Sequence, residues 1–260
     1  MLEGIFDTHT HYDNEQFDFI RHAILHGMEE RGVSMILNCG GNVASSEFSA
    51  ELASQYPFLY SAAGIHPHSS SYTDDDWSQK IAGLLERKKV VAIGEIGLDY
   101  HYNFSDRASQ RQVFGESLAL AVQLGFPVIV HDRDAHDDIL AMLREYRPKG
   151  VVHRFSGSPE MAAQLLELDL MLGFGCSITY NNAVFERETL RIIPFDSLLL
   201  ETDCPYLAPS ELRHELCTSD MISFAAEEIA RLRPECTSQR IVDIARENGI
   251  RLFGIETALD

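Results

Sequence analysis

The sequence predicts a single (β/α)8 TIM barrel with additional C-terminal helices, spanning residues 1–260 as one unit. Three observations carry this reading. Eight short apolar runs recur along the chain, nearly continuous in the way that strands buried on both faces must be. Amphipathic stretches with apolar residues at three- and four-residue spacing lie between them. The length of 260 residues fits an architecture that takes about 250. The competing open, doubly wound sheet lacks its signatures. No G-x-G-x-x-G opens a helix after a strand, and no G-x-x-x-x-G-K-S/T occurs.

The first strand falls at Gly4–His9. Gly32, after Glu29-Glu30-Arg31, ends the segment that leads into the second strand, Val33–Cys39. The third strand, Leu59–Ile65, is followed by an amphipathic helix over Asp74–Arg87. The fourth, Val90–Glu95, precedes a helix over Arg107–Leu124 that Gly125 stops. The fifth is Pro127–His131, and Pro148 after Arg147 closes the segment behind it. Gly150–Phe155, Leu170–Gly175 and Leu198–Asp203 complete the set, with a helix over Pro159–Leu168 between the sixth and seventh. Asp220–Arg233 and Gln239–Leu252 read as two closing helices.

Lys and Arg number 21 against 40 Asp and Glu, a formal net charge of −19. Such a chain repels phosphates over most of its surface, which excludes coating nucleic acid through a broad basic face. An enzyme that meets one or two phosphates in a metal-loaded pocket remains compatible. No run approaches the ~18 apolar residues of a membrane span; the richest, Leu118–Val130, is interrupted by Gln123, Gly125 and Pro127. Met1-Leu2-Glu3-Gly4 lacks the basic and apolar pattern of a signal peptide. Five scattered cysteines without a C-x-x-C suggest neither a disulfide framework nor a zinc ribbon. The expectation is a cytoplasmic protein with no evident obligate protein partner.

The informative residues stand at strand ends. His9 and His11 close the first strand and share one face through its period of two. Glu95, His131, His153 and Asp203 each follow a buried run, where a lone ionisable group is costly. Barrel enzymes place their chemistry at that end, and strands 8 and 1 face strands 4, 5 and 6 across the axis. Four imidazoles and two carboxylates converging without a cation call for metal. Six ligands exceed what one tetrahedral ion needs, so two divalent ions (Mg, Mn or Zn) are expected, with Glu95 as the natural bridge.

Other groups narrow the chemistry. Lys88, Lys89 and Lys149 precede their strands at the opposite face and Lys80 lies within a helix, which leaves no lysine for a carbamate bridge or a Schiff base. Cys204 reads as a small strand-end residue. His66 and His68 share parity and can face the pocket or solvent. Arg133 and Arg154, just after His131 and His153, can each hold a phosphate or remain solvated. Glu201 has the parity of Asp203 and points inward. Asp99 is placed to order its own loop through hydrogen bonds.

At these residues the chain closely resembles the TatD family of metal-dependent hydrolases. The matching segments are Asp7-Thr8-His9-Thr10-His11, Gly64-Ile65-His66-Pro67-His68, and Ala92 through Tyr100. They continue with Pro127 through Ala135, His153-Arg154-Phe155-Ser156-Gly157, Glu201 through Pro209, and Asn248 with Leu252-Phe253. The resemblance implies a divalent-metal hydrolase, with deoxyribonucleases that release nucleotides from DNA ends among its members. It implies His9, His11, Glu95, His131, His153 and Asp203 as metal ligands, and His66 with His68 as contacts to the scissile phosphate. Two departures stand out. Arg154 takes a position where the family commonly has Cys, and Leu212-Arg213-His214-Glu215-Leu216 keeps only the Glu of a basic segment expected to line the mouth.

Two reaction classes follow. The first is a phosphodiesterase acting on nucleic-acid ends, in which Asp203 orients a metal-activated water and accepts its proton. The second keeps the ions but acts on a small-molecule ester, amide or lactone, as the charge of −19 and the altered segment near His214 suggest.

Overall fold

The computed structural model describes residues 1–256. Eight strands pair in parallel in chain order: β1 (Ile5–Thr10), β2 (Val33–Cys39), β3 (Leu59–Ala63), β4 (Val90–Asp99), β5 (Val128–Arg133), β6 (Gly150–Val152), β7 (Leu170–Phe174) and β8 (Leu198–Leu200). The chain just past β8 returns to β1 and completes the ring. Thr10 and Cys204 form a parallel bridge. The Asp203 amide donates to the His9 carbonyl at 3.0 Å, and the His11 amide to the Cys204 carbonyl at 2.8 Å. Below this seam the buried Asp7 carboxylate accepts from the Thr202 amide at 2.9 Å and from its hydroxyl at 2.6 Å.

Helices α1 (Arg21–His26), α2 (Val43–Gln55), α3 (Trp77–Leu84), α4 (Arg107–Leu124), α5 (His136–Tyr146), α6 (Pro159–Leu166) and α7 (Val184–Leu190) connect successive strands; α8 (Ile222–Leu232) and α9 (Ser238–Phe253) follow β8. Local chemistry sets their ends. Asn42, Asp106, Ser158 and Thr237 each accept an amide proton from three residues on, an N-cap worth about 1 kcal/mol. Gly125, at φ +76°, ends α4 in the left-handed conformation that costs glycine little.

Two apolar clusters divide the interior. Inside the barrel, Phe6, Leu37, Ala62, Ala92, Ile129, Val151 and Leu199 pack against Phe253, the last residue of α9, and Ile255 just past it, which cover the barrel floor. A larger cluster fills the space between strands and helices. Apolar filling at the floor leaves the polar side chains to the opposite rim. Strand ends differ from expectation: β4 runs on to Asp99, while β6 and β8 stop at Val152 and Leu200, so His153 and Asp203 lie just past their strands. Among the described residues no helix is long and apolar enough to cross a membrane.

Candidate metal centre

The six expected ligands converge at the C-terminal rim, with Glu95 at their centre. One carboxylate oxygen, Oε2, lies 3.5 Å from the Nε2 of both His9 and His11. The other, Oε1, lies 2.8 Å from His131 Nδ1, 3.5 Å from His153 Nε2 and 3.6 Å from His66 Nε2. Asp203 joins the first side, its Oδ1 lying 3.5 Å from His11 Nε2 and 3.9 Å from His9 Nε2. Three overlapping groups have donor atoms within 4.8 Å of one another: His9, His11 and Asp203; His9, Glu95 and His153; and His66, Glu95 and His131.

Partners behind the rings aim them. His11 Nδ1 donates to the Cys39 carbonyl at 3.0 Å, which leaves Nε2 for the centre. His153 Nδ1 lies 3.0 Å from Glu201 Oε1, and its ring stacks on His9 at 3.7 Å between centroids. Glu201 therefore points inward as its parity indicated, and burial lifts its pKa to about 7. Gly173 makes room for it, because a Cβ there would collide with the Glu201 carboxylate. His66 is different. Its Nδ1 accepts the His68 amide proton at 3.1 Å, and burial holds its pKa well below the ordinary value. A neutral ring accepting at Nδ1 carries its proton on Nε2, so His66 presents a donor to the centre rather than a lone pair.

The charges show what the centre wants. Burial opposes ionisation of Glu95 and Asp203, but the surrounding imidazoles outweigh it and hold both carboxyls below their usual range. Burial likewise opposes charge on His11 and His131. Nearby carboxylates overcome it, lifting His11 well above its ordinary value and His131 to about 9. Protons thus take positions where a divalent cation would balance two carboxylates. His9 Nε2 and His11 Nε2 lie 3.1 Å apart, an arrangement that a shared cation would satisfy without a proton between them. This donor set fits a hard or borderline divalent metal.

The centre opens into a cavity of about 630 Å³, lined in part by Arg133, Arg154, His68, Asp99, Tyr102 and Tyr206. Arg133 stacks its guanidinium 4.6 Å from the Tyr102 ring centroid, and Arg154 Nη1 lies 3.5 Å from Asp203 Oδ2. Arg154 and Asp203 both have left-handed backbones, at φ +46° and +62°, a strain that surrounding structure must hold in place. Asp99 does more than order its loop: Oδ2 lies 2.8 Å from His68 Nε2 and 3.3 Å from His131 Nε2. That contact was missed because it joins three strand ends, although every partner stands within a few residues of one. No lysine lines the cavity among the described residues; Lys89 instead binds carbonyls of Ala53, Tyr56 and Pro57. One expectation fails. Leu212–Leu216 is absent from the cavity lining, where Tyr206 and Leu207 stand instead, and Arg213 lies against the Tyr180 ring.

A family model described as "TatD related DNase" matches residues 6–254. The "Uncharacterized metal-dependent hydrolase YabD" of Bacillus subtilis is 36% identical over 255 residues, covering 96% of this chain and 99% of that protein. The "3'-5' ssDNA/RNA exonuclease TatD" of Pantoea ananatis is 36% identical over 266 residues, covering 96% and 100%. Among solved structures, the TatD homolog YJJV from Escherichia coli superposes with a TM-score of 0.90 at 31% identity, covering 97% of this chain and 98% of that one.

Proposed function

The chain belongs to the TatD-related DNase family of metal-dependent hydrolases, and from that premise we propose that it is a phosphodiesterase releasing nucleotides from DNA ends with two divalent ions. The carrying observation is the division of Glu95, one oxygen toward His9 and His11 and the other toward His131 and His153. We assign those five residues and Asp203 as the ligands of Mg, Mn or Zn, and the whole chain, 1–260, as one catalytic unit. Unpaired cysteines suit the reducing cytoplasm.

Bound there, two divalent ions supply Lewis acidity toward phosphoryl oxygens and a water whose pKa falls toward about 7. Asp203, held ionised, takes the proton of the attacking water at a carboxylate oxygen. Glu95 keeps its charge at the middle of the site. His66 donates its Nε2 proton to a phosphoryl oxygen, and His68, oriented by Asp99, supports the same group. Arg133 and Arg154 bring positive charge to a cavity in an otherwise acidic protein, as a phosphodiester requires and a lactone does not.

The test is incubation of metal-loaded protein with single-stranded and duplex DNA, alongside a chelator control. Mononucleotide release that the chelator abolishes is expected. Hydrolysis of small esters or lactones, with no nucleotide released under Mg, Mn or Zn, assigns the second reading. That reading draws on the net charge of −19, which offers little to a long polymer backbone.

A further inference from the structure

The loop after β4 carries two large aromatic side chains in the open. Tyr102 is 48% and Phe104 60% exposed, and their rings stack at 5.2 Å between centroids with 3° between planes. Exposed aromatics are ordinary singly; a parallel pair at the rim of a catalytic cavity is a surface shaped for another flat ring. Tyr102 lines that cavity, and the Arg133 guanidinium over its ring places a cation beside the pair.

The loop is also held in register with the metal centre. Asp99 Oδ1 accepts the amides of His101 and Tyr102 at 3.0 and 2.9 Å, while its Oδ2 contacts His68 and His131. The His68 ring meets Phe104 edge-on at 4.7 Å. One carboxylate therefore ties the aromatic pair, the imidazoles of the centre and the backbone between them into a single arrangement.

We propose that Tyr102 and Phe104 form a base-stacking subsite for the nucleotide beside the scissile phosphate, with Arg133 meeting that nucleotide's phosphate. This rests on the phosphodiesterase reading and adds to it a contact to the base itself, which stacks here only after leaving its own helix. Base-aromatic stacking is tolerant of sequence, because every base has a π face. A net charge of −19 opposes a wider grip on the backbone, so stacking beside the Arg133 contact becomes a main source of affinity at this position.

Steady-state kinetics of metal-loaded wild type, Tyr102→Phe and the double variant Tyr102→Ala/Phe104→Ala test it. The substrates are a single-stranded oligonucleotide and the same oligonucleotide made abasic at its last two positions on both ends. On the intact strand the double variant should show KM raised about tenfold with kcat nearly unchanged, and Tyr102→Phe should restore the wild-type KM. On the abasic strand the wild type should lose that advantage, so that it and the double variant coincide. Thermal melting of the double variant at the wild-type temperature excludes a folding defect, and quenching of a terminal 2-aminopurine by chelated protein reports stacking apart from turnover. Equal KM for wild type and double variant on the intact strand overturns the subsite while leaving the nuclease reading intact. Failure of the wild type to release nucleotides from any strand overturns the nuclease reading, and the subsite with it.

Discussion

Glu95 and His66 lie within 3.6 Å of each other, yet their removal should have opposite signatures. Glu95→Ala deletes the group shared by both sides of the centre, so metal content per chain should fall at both positions together and activity by orders of magnitude. His153→Ala should deplete mainly one. Metal analysis of the purified variants decides it, and two ions retained by Glu95→Ala would refute the bridge. His66→Ala should keep its metal, because its Nε2 carries a proton, and lose about 10- to 100-fold in kcat/KM through the missing donor. Metal lost from His66→Ala would instead make it a ligand. This distinction was invisible in the order of residues: Gly64-Ile65-His66-Pro67-His68 brings an imidazole to the rim, but its tautomer depends on the 3.1 Å contact with the His68 amide.

At the level of strands and helices, all eight strands and the closing helices stand where apolar runs and stop signals put them, because parallel strands buried on both faces leave so plain a trace. Their ends were less legible. Alternation along β4 alone puts Ala92 and Glu95 on opposite faces, yet both point inward, because the pairing with β5 shifts register between Ile93 and Ile96. Partners distant along the chain were harder to pair: parity turns Glu201 inward without naming His153 in front of it, and nothing in the sequence joins Asp7 to Thr202. The seam makes its own prediction. Asp7→Ala leaves the Thr202 amide and hydroxyl buried without their acceptor, and should cost about 2–4 kcal/mol in urea unfolding. Asn248→Ala, on α9, removes two 2.8 Å bonds to the carbonyls of Phe195 and Leu198 and should cost about 1–3 kcal/mol. A loss below about 0.5 kcal/mol in either variant, the range of an ordinary surface change, would deny that role.

For the molecule as a whole, charge governs how a polyanion approaches. Basic nucleic-acid binders lose affinity steeply with salt as they release counterions. Here Arg133 and Arg154 are the arginines lining the cavity among the described residues and the net charge is −19, so the plot of log affinity for single-stranded DNA against log salt should have a slope no steeper than about −2. Anisotropy titrations between low and moderate salt measure it; a steeper slope would reveal further phosphate contacts. Removing metal should also lower Tm, since ions that bind only the folded chain stabilise it by mass action. An unchanged melting curve on chelation would mean the centre holds no ion in the folded protein. The seam also has a meaning in time. Asp7 and Thr202 are 195 residues apart in the chain, so on a ribosome adding about 5–20 residues each second, β1 waits about 10–40 s for its partner. Through that interval His9 and His11 are made but Asp203 is not, and the nascent chain carries an open sheet edge beside an incomplete set of the proposed ligands. A chaperone or the ribosome surface that shelters β1 during those seconds would guard the ring's closure and keep stray metal from the first two imidazoles.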